Sequence, residues 1–129
     1  MSEKIYLCFD YGLKKVGVAL GNDISKSARP LGIIYEEEKA KRFQKIECLI
    51  KEWQPDELVV GLPLTTEGDE QASSKLSRRF ANQLQARFHL PVSLQDERGT
   101  SMQAQEIVKN EDDDAVAASL ILTRFLEKK

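Results

Sequence analysis

Apolar residues in this chain fall into runs of two periods, separated by short polar turns. Ile5, Leu7, Cys8 and Phe9 make a dense apolar run, and the spacing predicts a strand over Lys4–Asp10. Tyr11-Gly12-Leu13-Lys14-Lys15 reads as a turn, and Val16–Leu20 as a second strand closed by Gly21-Asn22. A connection that short permits only antiparallel pairing, because a parallel crossover needs about a dozen residues. Leu31, Ile33 and Ile34 predict a third strand within Pro30–Tyr35. The period then changes. Phe43, Ile46, Leu49, Ile50 and Trp53 recur at helical spacing across Lys39–Trp53, with charges between them. Leu58-Val59-Val60 predicts a short buried strand in Glu57–Gly61, and Pro63 and Gly68 break the loop from Leu62 to about Gln71. Leu76, Phe80, Leu84 and Phe88 predict a helix over Ser73–Phe88. Val92–Glu97 reads as a last strand, followed by helices near Thr100–Asn110 and Asp114–Leu126.

Three strands, helix, strand, helix, strand and two helices, without repeat or linker, predict an α/β fold. A meander followed by right-handed βαβ crossovers gives one mixed five-stranded sheet flanked by helices, a single domain over residues 1–129. The first, fourth and fifth strands are then parallel. Asp10, the loop at Gly61 and Glu97 stand at their carboxyl ends, where open α/β sheets place ligands.

Composition narrows the function. With 31% charged and 41% hydrophobic residues over 129 positions the chain is globular rather than disordered. No apolar run approaches the roughly 18 residues of a membrane span. Met1-Ser2-Glu3-Lys4 lacks the basic start and long apolar stretch of a signal peptide, so a cytoplasmic protein is expected. Cys8 and Cys48, without C-x-x-C spacing, are expected as two buried, reduced thiols. One histidine, His89, excludes histidine-rich zinc sites. The net charge of −2 argues against a large basic footprint, although acids that bind metal understate the attraction to phosphate.

Asp10, Glu97 and Asp114 stand out because each interrupts an element whose apolar residues are core. An acid there is costly unless it is paired or binds a cation, and clustered carboxylates suit hard divalent ions such as Mg2+ or Mn2+. Asp10 could equally cap its turn, but Gly12 permits close backbone approach, and Lys14 and Lys15 add positive charge. Asp96 and Glu97 face opposite sides while the strand persists, and spacing does not choose between them. From Asp114 a helical count meets Ala117, Ala118, Ile121, Leu122 and Phe125, placing it on the sheet-facing stripe. Asp112 meets Ser119 and Thr123, so it serves instead as an N-cap or helix-dipole charge. Arg98 can pair with an acid or present its fork to phosphate. Lys75, Arg78 and Arg79 form a phosphate-facing patch or, more simply, a solvated helix face.

Asp10-Tyr11-Gly12, Val16-Gly17-Val18-Ala19, Ala28-Arg29-Pro30-Leu31 and Val60-Gly61-Leu62-Pro63-Leu64 resemble the YqgF/RuvX family. So do Gly68, Glu70-Gln71, Phe80-Ala81, Asp96-Glu97-Arg98 with Thr100-Ser101, and the closing Asp114-x-x-Ala117-Ala118-x-x-Ile121-Leu122. The resemblance spans nearly the whole chain, with the motifs in order. It implies a ribonuclease H-like fold related to Holliday-junction resolvases, and the family's role as a nuclease maturing the 5′ end of pre-16S rRNA. Its catalytic acids fall by motif match on Asp10, Glu97 and Asp114, which selects Glu97 over Asp96 by analogy.

The expectation is a nuclease of structured RNA with a two-metal site of Mg2+ or Mn2+, held by Asp10, Glu97 and Asp114. Gly12, Lys14, Arg29 and Arg98 are expected at the phosphates. Branched DNA is the alternative substrate, and a non-catalytic nucleic-acid-binding module the alternative role. A monomer or a homodimer is compatible with the sequence, and no membrane partner is expected. One departure from the family pattern is a short, acidic segment, Val108–Asp113, in place of a longer one that often carries Gly and Lys. Asp-x-Gly before Val-Gly-Val-Ala also resembles the phosphate loop of actin-like sugar kinases, which require a second domain around ATP.

Overall fold

The computed structural model describes residues 3–97 and 113–128. Strands β1 (Ile5–Tyr11), β2 (Lys15–Asn22) and β3 (Ser27–Tyr35) form an antiparallel meander. Helix α1 (Lys39–Trp53) crosses to β4 (Glu57–Leu62), and α2 (Ala72–Phe88) crosses to β5 (Val92–Asp96). Helix α3 (Asp113–Glu127) closes the described chain. The sheet order is β3-β2-β1-β4-β5, with β4 parallel to both β1 and β5. This is the mixed five-stranded sheet that the connection lengths predict. The helix predicted near Thr100–Asn110 lies outside the described residues.

Alternation in β1 divides the core. Leu7 and Phe9 point to one face and pack with Val16, Val18, Leu58, Val60, Phe43 and Ile46 of α1, and Phe80 and Leu84 of α2. Tyr6 and Cys8 point to the other face and pack with Val59, Ala118, Ile121, Leu122, Phe125 and Leu126. So α1 and α2 cover one side of the sheet and α3 the other. The stripe counted from Asp114 is buried throughout: Ala117, Ala118, Ile121, Leu122 and Phe125 are each at most 9% exposed. Burying such side chains contributes about 25 cal/mol per Å² of apolar surface.

Two details depart from the sequence reading. Strand β2 runs on to Asn22 and β3 begins at Ser27, because Asn22 Oδ1 accepts hydrogen bonds from the Ile24 and Ser25 amides and closes the hairpin. Of the two cysteines, Cys8 is buried and Cys48 is exposed. Cys48 lies off the α1 stripe defined by Phe43 and Ile46, so helical geometry turns it outward.

Candidate nuclease site

The parallel strands β1, β4 and β5 end at one edge of the sheet, and the candidate acids gather there on the α3 face. Asp10 follows Tyr6 and Cys8 by the two-residue period, so its side chain leaves the sheet on their side. Its antiparallel partner is Gly17. A Cβ on Gly17 would fall on the backbone carbonyl of Asp114 and stand 2.9 Å from the Ala115 amide. The first turn of α3 therefore sits directly on β2, beside Asp10, because residue 17 has no side chain.

Glu97 reaches the same place from the opposite direction. Gly61 pairs with Gln95, and the Glu97 amide donates to Leu62 O at 3.2 Å, prolonging the parallel register. Gln95 and Glu97 therefore share the α3 face while Asp96 turns to the other. A Cβ on Gly61 would fall on Glu97 Oε2 and stand 2.7 Å from Ile121 Cδ1. Gly61 lies on β4 one step past the Phe9–Val60 pair, alongside Asp10. The glycine thus opens the slot that admits the Glu97 carboxylate. Strand alternation, which left Asp96 and Glu97 unresolved in the sequence, separates them once the register is known.

Electrostatics register the crowding. The Asp10 carboxyl is pushed up to about 8, first by burial, then by the charges of Glu97 and Asp114. Glu97 is raised to about 7 by burial and by Asp96. The Cys8 thiol beneath them is pushed up by burial and by both acids, so it stays protonated. Among the described residues no hydrogen bond or ion pair reaches the Asp10 or Glu97 carboxylate.

Asp114 is differently disposed. Its Oδ2 lies 3.2 Å from Lys15 Nζ, with both side chains partly exposed. As the side chains stand, no three acidic, histidine or cysteine residues among the described residues form a shared metal-ligand group. The carboxyls of Asp10 and Glu97 are close enough to raise the Asp10 value, and Asp114, which adds to that effect, has its own carboxylate paired with Lys15. The donor set fits a hard divalent ion, since it consists of carboxylate oxygens short of positive charge. Releasing Asp114 from an exposed ion pair costs about 1 kcal/mol or less.

The expected phosphate contacts divide. Gly12 lies in the turn after Asp10, where a Cβ would meet Lys15 O at 2.7 Å. Lys14 is exposed in that turn. Arg29 does not join the site: it pairs with Leu20 across the hairpin, faces the α1 side and stacks 5.5 Å from the Trp53 ring. Its position on β3, two strands from β1, explains the displacement. Arg98 and Asp112 lie outside the described residues.

Sequence reasoning passed over Arg42, which is 4% exposed. Its Nε donates to Glu36 O at 2.8 Å, Nη1 to Gly12 O at 2.9 Å and Nη2 to Leu13 O at 2.7 Å. Its guanidinium also lies 5.4 Å from the Tyr11 ring. One buried cation thus pins the turn that follows Asp10. The available signal was its place one helical turn before Ile46, on a stripe otherwise apolar.

The mixed five-stranded sheet, with α1 and α2 on one face and α3 on the other, is shared with known resolvase structures. RuvC of T. thermophilus in complex with a Holliday junction substrate aligns with a TM-score of 0.60 at 16% identity, over 96% of this chain and 94% of that one. The yeast mitochondrial Holliday junction resolvase Ydc2 aligns with a TM-score of 0.55 at 9% identity, over 94% and 77%. The fold is ribonuclease H-like. The family model described as "RuvX: Holliday junction resolvase" matches residues 4–128. A Bordetella parapertussis protein named "Putative pre-16S rRNA nuclease" is 54% identical over 98% of this chain and 96% of its own length. A Paraburkholderia xenovorans protein of the same name is 44% identical over 97% and 89%. The chain belongs to the RuvX family, and it is a nuclease, a hydrolase of phosphodiester bonds.

Proposed function

We propose that this nuclease acts on structured RNA with divalent metal, maturing the 5′ end of pre-16S rRNA in the cytoplasm. Residues 1–129 work as one nuclease domain, as a monomer or a homodimer. The observation that carries this reading is the Asp10–Glu97 pair: two carboxylates on one face, admitted by Gly61 and met by no cation among the described residues. The choice of RNA rests on the names of relatives up to 54% identical. Among the described residues no helix is long and apolar enough to cross a membrane.

Asp10, Glu97 and Asp114 would hold Mg2+ or Mn2+. Such ions supply an activated water and stabilise the leaving oxygen. The chain's own residues do the rest. Asp10, at the centre of the edge, sets the position against which the other two acids are arranged. Gly17 lets α3 bring Asp114 close, and Gly61 gives Glu97 its space. Arg42 holds the Gly12–Leu13 carbonyls inward, leaving Lys14 free to meet phosphate. Arg98, next after Glu97 in sequence and outside the described residues, is a further proposed phosphate contact.

The test is cleavage of a pre-16S leader transcript and of a four-way DNA junction, with Mg2+ or Mn2+, by wild type and Asp10→Asn. Metal-dependent cutting of the RNA to 5′-phosphate and 3′-hydroxyl ends, lost in the variant, is expected. Preference for the junction would move the substrate to branched DNA. Equal cutting by the variant would remove Asp10 from the chemistry.

A further inference from the structure

We propose that the solvent face of α2 holds the phosphate backbone of the nucleic acid beyond the cut site. This rests on the nuclease reading above and extends it to a second surface.

Helix α2 carries Lys75, Arg78, Arg79 and Arg87 and no acidic residue, in a chain whose net charge is −2. The other described helices all contain acids. The contrast with α1 is specific. There Lys41, Lys45 and Lys51 stand 3.6–3.8 Å from Glu38, Glu36 and Glu47, so their charges are spent locally. On α2 only Arg78 is ion-paired among the described residues, with Glu70 at 2.6 Å. Lys75, Arg79 and Arg87 are exposed, and Arg87 rests its guanidinium 4.2 Å from the Phe43 ring, which fixes it against the surface.

Their order along the helix matters. Lys75, Arg79, Gln83 and Arg87 recur every fourth residue, forming one row with steps of about 6 Å and a length of about 18 Å. One strand of a duplex presents a phosphate every ~3.4 Å along its axis, so the row spans about five. Gln83 and the neighbouring Asn82 add amide donors suited to phosphate oxygens.

The row is also continuous with the site. A cleft of about 270 Å³ is lined by Tyr11 at the end of β1, Leu13 of the first turn, Lys39 and Arg42 of α1 and Arg79 and Gln83 of α2, with Glu37 the one acid among its lining residues. Helix α2 begins at the same sheet edge where β1 and β4 end. A strand leaving the carboxylates therefore crosses that edge over the Gly12–Lys14 turn, enters the cleft, and meets Arg79 on the far side. Leu13, 66% exposed, lies along that path.

The test compares two triple substitutions of equal charge change. Lys75→Gln/Arg79→Gln/Arg87→Gln clears the α2 row, and Lys41→Gln/Lys45→Gln/Lys51→Gln clears the paired lysines of α1. Binding of a hairpin RNA and of a four-way DNA junction is followed by fluorescence anisotropy from 50 to 300 mM KCl. Thermal melting checks that both variants fold. Each phosphate contact adds about 0.7–0.9 to the slope of log Kd against log salt. The α2 variant should lower that slope by about 2–3 and weaken binding at least tenfold, while its single-turnover cleavage rate at saturating protein stays near wild type. The α1 variant should change the slope by less than 1. An unchanged slope in the α2 variant, or an equal loss in the α1 variant, overturns the assignment of this surface. In those cases metal-dependent cleavage by wild type leaves the nuclease reading standing. If wild type neither binds nor cuts either probe, both readings fall.

Discussion

Replacing Asp10 by Asn should stabilise the metal-free protein, by an amount that depends on pH. The carboxyl stands at about 8 in the folded chain against 3.8 when free. Its folded value is raised, so the native state binds more protons than the unfolded state between those limits, and stability falls as pH rises through that window. Below pH 4 both states are protonated and the cost vanishes. At pH 7 keeping the group protonated spans about 3 pH units, or about 4 kcal/mol. Asn removes that cost but must bury its own amide, worth about 1–3 kcal/mol if unpaired. We expect a net gain of about 2 kcal/mol at pH 7. For a chain of this size that corresponds to about 8 °C in Tm.

The assay is urea denaturation in EDTA at pH 4.5, 6, 7 and 8, followed by the fluorescence of Trp53, the one tryptophan of the chain. The gain of Asp10→Asn over wild type should shrink toward zero or below at pH 4.5 and reach its largest value near pH 8. Glu97, raised to about 7 by burial and Asp96, keeps a residual pH slope in the variant. Millimolar Mn2+ should close the gap from the other side, because a cation bound at 100 times its Kd stabilises wild type by about 2.7 kcal/mol and the variant less. A gain that is constant from pH 4.5 to 8 would refute the reasoning, since the effect would then not be electrostatic.

Other substitutions probe the same architecture. Gly61→Ala would place a methyl where Glu97 Oε2 stands, so RNA cleavage at saturating metal should drop at least 100-fold while circular dichroism stays native. Arg42→Met should cost about 2–3 kcal/mol in urea denaturation, because three carbonyls lose a charged donor, and Arg42→Lys should recover less than half for want of the planar fork. His89 caps α2 with φ of 57°, so His89→Gly should add about 0.5–1 kcal/mol and raise Tm by a few degrees.

The fold was largely legible because its signals are local. Connection lengths forced β1–β2 to be antiparallel and β1, β4 and β5 to be parallel, and the α3 stripe from Ala117 to Phe125 was already explicit in the spacing. The edge that gathers Asp10, the Gly61 loop and Glu97 followed from those directions alone. What sequence could not supply was anything set by register between distant segments. Arg29 illustrates this: nothing in Ala28-Arg29-Pro30 says that pairing with Leu20 turns it toward Trp53. Cys48 was a different kind of miss: its burial was expected from residue type, although a count at helical spacing already sets it opposite the Phe43–Trp53 stripe.

The candidate site shows the same limit more sharply. Asp96 and Glu97 are chemically near-equal neighbours, and only the pairing of Gly61 with Gln95 decides which of them meets Asp10. Lys14 and Lys15 are indistinguishable as a dipeptide, yet the β2 pleat sends Lys15 to Asp114 and leaves Lys14 to solvent. Two strand glycines carried a signal that the sequence reading did not use. Gly in a strand interior costs conformational entropy and packing; at Gly32 no group takes the space, whereas at Gly17 in β2 and Gly61 in β4 another group does. In the fold those groups are the backbone of Asp114 and the carboxylate of Glu97. The candidate site therefore depends as much on two missing side chains as on its proposed acids. It follows that substitutions restoring a Cβ at 17 or 61 should damage catalysis without removing any charged group.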